Sequence, residues 1–238
     1  MDKNYFALIP AYKPGDILLD LIGKLKEKGF SVVIVDDGSG ADYADFFLAC
    51  TCFAEVLHHS ENMGKGRALK TGINTISQCI ASDTVIVTVD ADGQHCVEDV
   101  LAICSIAEKA PNTLVPGSRK LKENEPLRSK FGNTVTRCVS YISTGLKVHD
   151  AQTGLRAFRT DLIPVLRDIS GERYEYERNV LLRCARDKIR ILEHEIETIY
   201  ENNVQSHFDT VKDSVRIYKE ILGVFLCRLI SRHYINRT

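Results

Sequence analysis

The sequence predicts an α/β protein with a mostly parallel sheet covered by helices on both faces. Short β-rich runs alternate with helical patterns over the first 116 residues, and such alternation requires crossover connections of the Rossmann-like kind. At 238 residues, 44% hydrophobic and 26% charged, the chain has the size and composition of one large domain. A net charge of −1 gives no global pull toward nucleic acid. The eight cysteines, at 50, 52, 79, 96, 104, 138, 184 and 227, contain no C-x-x-C pair. They read as reduced packing residues in a cytoplasmic protein rather than as a zinc site or disulfide framework. The opening MDKNYFALIPAY carries too short an apolar run for a signal peptide or a membrane span.

Taken in order, residues 5–9 (YFALI) predict a first strand and 16–28 a helix; 32–35 (VVIV) a strand and 41–49 a helix; 53–57 (FAEVL) a strand and 65–80 a helix. The run 84–89 (TVIVTV) reads as a central strand buried on both faces, followed by a helix at 97–109 and a strand at 113–115. After residue 116 the alternation stops. A basic loop (Arg119, Lys120, Lys122, Arg128, Lys130) leads into a helical run at about 128–145, a half expected to meet a second substrate. An extended piece around 155–158, helices near 160–168 and 175–187, and a strand at 189–199 follow. The expected domain spans 1–208, with halves meeting near 117, and a last amphipathic helix covers 209–238. Its stripe is Val211, Val215, Tyr218, Leu222, Phe225 and Leu229. Lys212, Arg216, Lys219, Arg228, Arg232 and Arg237 stand there against Asp213 and Glu220, which suits packing on the domain or on an anionic membrane surface. Arg228 interrupts the apolar run, so the helix is too short to span.

Four features fall at or just beyond strand carboxyl ends, the edge where open α/β sheets bind ligands: Pro10-Ala11-Tyr12, Asp36-Asp37-Gly38-Ser39, Asn62 to Gly66, and Asp90-Ala91-Asp92. No G-x-G-x-x-G follows the first strand, and Asn62 to Arg67 lacks the spacing of a Walker A loop, so neither a dinucleotide site nor an ATPase is expected. Asp90 and Asp92 project the same way from the strand end, a pairing that suits a hard divalent cation bridged to a diphosphate; a helix cap is the plainer alternative. Tyr12 offers a ring to a nucleobase, and Asp36-Asp37-Gly38-Ser39 taken alone is a turn and cap. Gly64-Lys65-Gly66 places a cation and free N–H groups at a helix start, where an anion is favoured.

Together IPAYKP, VVIVDDGS, NMGKGRALKTGI, VTVDADGQH and PGSR resemble, in order and spacing, the nucleotide-sugar domain of glycosyltransferase family 2 with its GT-A fold. GSRKLKENEPLRSKFGN and DAQTGLRAFRTD are similar to the dolichyl- and polyprenyl-phosphate sugar transferases within it; the likeness covers about residues 4–220. It implies a metal-dependent inverting transfer of a hexose from a nucleotide sugar to a polyprenyl phosphate. A glycan, protein or small-alcohol acceptor, or nucleotide-sugar binding without catalysis, are the alternatives. By resemblance, Pro10, Ala11 and Tyr12 with Asp36 or Asp37 hold the nucleoside, and Lys65 lies near the phosphates. Asp90 and Asp92, joined by Gln94, hold Mg²⁺ or Mn²⁺, with Ala91 between them. Arg119 and Arg128 meet phosphate groups, Ser129 and Asn133 support them, and Gly154 and Arg156 belong to the acceptor side.

A lipid phosphate is already anionic at pH 7, so positioning arginines matter more than a base; an alcohol acceptor needs one, and Glu175 or Glu177 is the candidate. The chain departs from the mannose-transferring relatives at Pro14, where they are acidic, and in a late loop where His207 stands nearest to their lysine. UDP-glucose and GDP-mannose therefore both stay open as donors, as does the oligomeric state.

Overall fold

The computed structural model describes residues 5–80, 83–119 and 153–197. The alternation runs β1 (Tyr5–Ala11), α1 (Ile17–Glu27), β2 (Ser31–Asp36), α2 (Ala44–Cys50), β3 (Glu55–His58), α3 (Lys65–Cys79), β4 (Val85–Thr88), α4 (Val97–Glu108) and β5 (Thr113–Arg119). Then come β6 (Arg156–Arg159), α5 (Ile163–Arg167), α6 (Glu175–Arg186), β7 (Arg190–Ile191) and β8 (His194–Ile196). The single strand expected over 189–199 is two short ones, because the chain leaves its pairing with the start of β5 after Ile191 and rejoins β5 at its end through His194–Ile196. The expected helices at about 128–145 and 209–233 lie outside the described residues.

The sheet has the order β3-β2-β1-β4-β6-β5-β7, with β8 also pairing with β5. β1 pairs in parallel with both β2 and β4, and β2 with β3. Among the described strands β6 alone runs the other way, antiparallel to both β4 and β5. A segment from beyond residue 150 thus fills the middle of a sheet whose other central strands come from the first 119 residues. The period-2 alternation of each strand divides the core between two faces. Ala7, Ile9, Val32, Ile34, Val85 and Val87 point toward α1 and α4. Leu8, Val33, Val35, Ile86 and Phe158 point toward α3, α5 and α6. Burial on both faces explains why these strands read as continuous apolar runs.

Registry sets the functional edge. Ala11 stands beside Asp36, and Asp36 beside His58. Leu8 stands beside Thr88, and Thr88 beside Arg156. Because β6 is reversed, its beginning shares this edge with the ends of β1, β2, β3, β4 and β5. The residues after Thr88, those before Arg156 and Arg119 at the end of β5 therefore gather at one margin.

Candidate active site

At the centre of that margin, Lys65 lies between two carboxylates. Its Nζ is 2.6 Å from Asp90 Oδ1, just past β4, and 3.0 Å from Glu177 Oε1, in the first turn of α6. All three side chains are largely shielded from water. Burial alone would lower the Lys65 ammonium, but the charges and hydrogen bonds of Asp90 and Glu177 raise it above the ordinary lysine value. Burial alone would raise the Asp90 carboxyl, yet the interaction with His95 and the charge of Lys65 outweigh it and hold the group well below the usual carboxylate range. His95 is buried with its Nε2 3.5 Å from Asp90 Oδ2, at the outer limit of a hydrogen bond, and that nitrogen has no closer partner. Asp92 is exposed, and its Oδ1 accepts the Gln94 N–H at 3.1 Å.

Gly154, from the loop entering β6, lies flat against Asp90. A Cβ there would fall 2.3 Å from both carboxylate oxygens. Thr88 fixes the approach, its hydroxyl donating to the Gly154 carbonyl at 2.6 Å. Gly154, expected on the acceptor side, is thus also a wall of the acidic tip.

Several predicted residues are spent on the protein itself. Asp36 accepts the Ser39 N–H at 2.9 Å through Oδ1, and its Oδ2 is 3.0 Å from His58 Nδ1. Asp37 accepts the N–H groups of Met63 at 3.0 Å and Gly64 at 2.7 Å, and its Oδ1 is 2.8 Å from His59 Nδ1. Both aspartates are buried, and their hydrogen bonds shape the loops after β2 and β3. The helix start at Gly64-Lys65-Gly66 differs from expectation for the same reason. Asp37 is its anion, and the Arg67 N–H donates to the Glu172 carbonyl at 2.9 Å. Lys65 turns away to Asp90.

Arg156, which the sequence leaves open between facing a phosphate on the acceptor side and satisfying local carbonyls, is 4% exposed. Its Nε donates to the Thr153 carbonyl at 3.0 Å and its Nη1 to the Glu177 carbonyl at 2.7 Å, so the guanidinium ties β6 to α6 beneath the edge. A buried arginine is tolerable when backbone carbonyls satisfy it. Glu175 accepts the N–H groups of Glu172 at 3.0 Å and Arg173 at 3.2 Å. Backbone N–H groups at the start of α6, those of Glu175, Arg173 and Glu172, hold its carboxyl below the usual range.

Tyr12, half exposed, stands at the tip of β1 beside half-buried Pro10 and buried Ala11; the Lys13 ammonium is 5.4 Å from its ring centre. Arg119 ends β5 in register with Ile196. The structure therefore brings Tyr12, Lys65, Asp90, Ala91, Asp92, Gln94, Arg119, Gly154 and Glu177 to one edge. Arg128, Ser129, Asn133 and His207 lie outside the described residues. His58, His59 and His95 were not assigned roles from the sequence; the strand-end rule applied to β3 points to the first two, and the last sits inside the VTVDADGQH motif.

Among the described residues no group of three or more His, Cys, Asp and Glu side chains forms a closed metal cage. The hard oxygens of Asp90 and Asp92, beside the unpartnered His95 nitrogen, fit Mg²⁺ or Mn²⁺, which take one or two carboxylates and leave further positions to phosphate and water.

A parallel sheet crossed by one reversed strand, with an acidic tip at the end of its central strand, is the GT-A fold. The chain belongs to glycosyl transferase family 2, whose model matches residues 6–166, and it is a glycosyltransferase. An uncharacterized protein of Methanocaldococcus jannaschii is 29% identical over 223 residues, covering 91% of this chain and 90% of that protein. The UDP-N-acetylglucosamine–dolichyl-phosphate N-acetylglucosaminyltransferase of Methanococcus voltae is 27% identical over 251 residues, covering 97% of this chain and 99% of the relative. In fold, the chain is similar to glucosyl-3-phosphoglycerate synthase from Mycobacterium tuberculosis, solved with Mn²⁺, UDP and glucosyl-3-phosphoglycerate. There the TM-score is 0.65 at 14% identity, over 95% of this chain and 80% of that one.

Proposed function

We propose that this glycosyltransferase is an inverting, metal-dependent enzyme that moves a sugar from a UDP- or GDP-linked donor to a polyprenyl phosphate. The observation that carries this reading is the state of the two candidate bases. Glu177 is paired with Lys65 and Glu175 is engaged by backbone N–H groups. An acceptor that arrives already deprotonated, as a phosphate does at pH 7, suits a site in which both carboxylates are already engaged by partners. The dolichyl-phosphate acceptor of the full-length Methanococcus voltae relative supports the same class, and its donor adds UDP-N-acetylglucosamine to UDP-glucose and GDP-mannose.

In this reading Asp90, Asp92 and Gln94 hold Mg²⁺ or Mn²⁺ against the donor diphosphate. A divalent cation there supplies Lewis-acid relief of the charge that builds on the departing nucleotide. Tyr12 gives the nucleobase a face, Arg119 and Arg128 meet phosphate groups, and Asp37 keeps the loop that starts α3 in shape. The basic tail from 209 has the protein working peripherally at the cytoplasmic face of a membrane; no helix among the described residues is long and apolar enough to cross one.

The test is transfer of radiolabel from each of the three donors to polyprenyl phosphate, with phosphoglycerate and an oligosaccharide as competing acceptors. Label should enter the organic phase from donors of one nucleotide class, vanish with EDTA and return with Mn²⁺. Transfer to a water-soluble acceptor with no lipid product would overturn the acceptor assignment, and full activity in EDTA would overturn the metal.

A further inference from the structure

Lys65 occupies the acidic tip as a resident cation. Its ammonium is 2.6 Å from Asp90 Oδ1, so a divalent cation held by the same carboxylate would lie within a few ångströms of it in a shielded site. The two positive charges repel, and the ammonium must give way. A second carboxylate is already bonded to it: Glu177 Oε1 is 3.0 Å from Nζ. Glu177 is itself held by α6, whose first turn Arg156 anchors through the Glu177 carbonyl.

We propose that Lys65 competes with the divalent cation for Asp90, and that Glu177 is the positioning residue that takes Lys65 over when the cation binds. The inference rests on the metal site read above and gives it a built-in counter-ion exchange. With the site empty, Lys65 balances Asp90 and keeps two buried acids from facing each other unpaired. With the site filled, the ammonium moves to Glu177 and stays at the edge where the donor phosphates arrive.

Mn²⁺ binding, read from the loss of the free-ion electron paramagnetic resonance signal and without any turnover, tests this on the wild-type chain and four variants. Glu177→Asp keeps the charge but shortens the reach by one methylene, and should weaken Mn²⁺ about fivefold or more; a simple field effect of the carboxylate would leave it unchanged. Glu177→Gln should weaken binding roughly tenfold, and Lys65→Gln should tighten it by a similar factor. In the double variant, removing Glu177 should cost less than about twofold relative to Lys65→Gln alone, because Glu177 acts through Lys65. If Lys65→Gln does not fold, the Glu177→Asp measurement decides by itself. Wild-type-like affinity in Glu177→Asp, or additive effects in the double variant, would overturn the exchange while leaving the metal site in place. Absence of Mn²⁺ binding by the wild-type chain would overturn both.

Discussion

A single missing side chain shapes the acidic tip. Gly154 is required there by space alone, since the oxygens of Asp90 stand where its Cβ would be. Gly154→Ala should turn Asp90 away from Lys65 and lower nucleotide-sugar turnover by roughly tenfold or more, with little change in the thermal midpoint. Turnover within twofold of wild type would show that the carboxylate has another resting place. Asp90 and Asp92 were legible as a pair because their spacing and the preceding β-branched run are local facts. For Asp36, Asp37 and Arg156 the structural reading was open, but the partners were not legible. Sequence records a charged group but not whether its partner is a ligand or a buried backbone amide, and here the partners lie 21 to 27 residues away in several cases. Losing the Asp37 carboxylate leaves two loop N–H groups unpaired, so Asp37→Ala should cost about 2–4 kcal/mol in urea denaturation.

At the level of elements, the start of α3 is pressed against the turn before α6. A Cβ on Gly66 would stand 2.6 Å from Tyr176 Cβ and 2.9 Å from the Arg173 carbonyl oxygen. Arg67 and Lys70 both pair with Glu172 across the same seam, at 2.5 and 3.2 Å. Two effects of Gly66→Ala oppose each other. Helix propensity favours alanine by up to about 1 kcal/mol, whereas overpacking costs about 1–3 kcal/mol. The neighbour that must yield includes backbone, so overpacking should win and the urea midpoint should fall without a change in slope. A rise in the midpoint would show that the seam is loose. The helices and the parallel strands were readable to within a few residues because their periodicity is local. The contact between α3 and α6 joins segments more than 100 residues apart and leaves no periodic trace in either.

For the whole molecule, the decisive element is β6. An extended piece was expected there, but neither its reversed direction nor its place between β4 and β5 follows from local pattern, since pairing partners are chosen by the tertiary fold. Once in place it is a central strand, and it carries the loop that touches Asp90. Native-state hydrogen exchange should therefore find the amides of β6 protected together with those of β1 and β4 as one slowly opening unit, while β7 and β8 open earlier. Protection of β6 that matched the short edge strands would mean that the acidic tip is assembled on a loosely held support.

That arrangement also sets an order of events during synthesis. The ribosome delivers β4 roughly 70 residues before β6, an interval of several seconds at ordinary elongation rates. Throughout that time the inner strand has one bare flank, open to pairing with the wrong partner or with another nascent chain. The enzyme is therefore most exposed to misassembly midway through translation, and a pause placed between those two strands would lengthen the hazard.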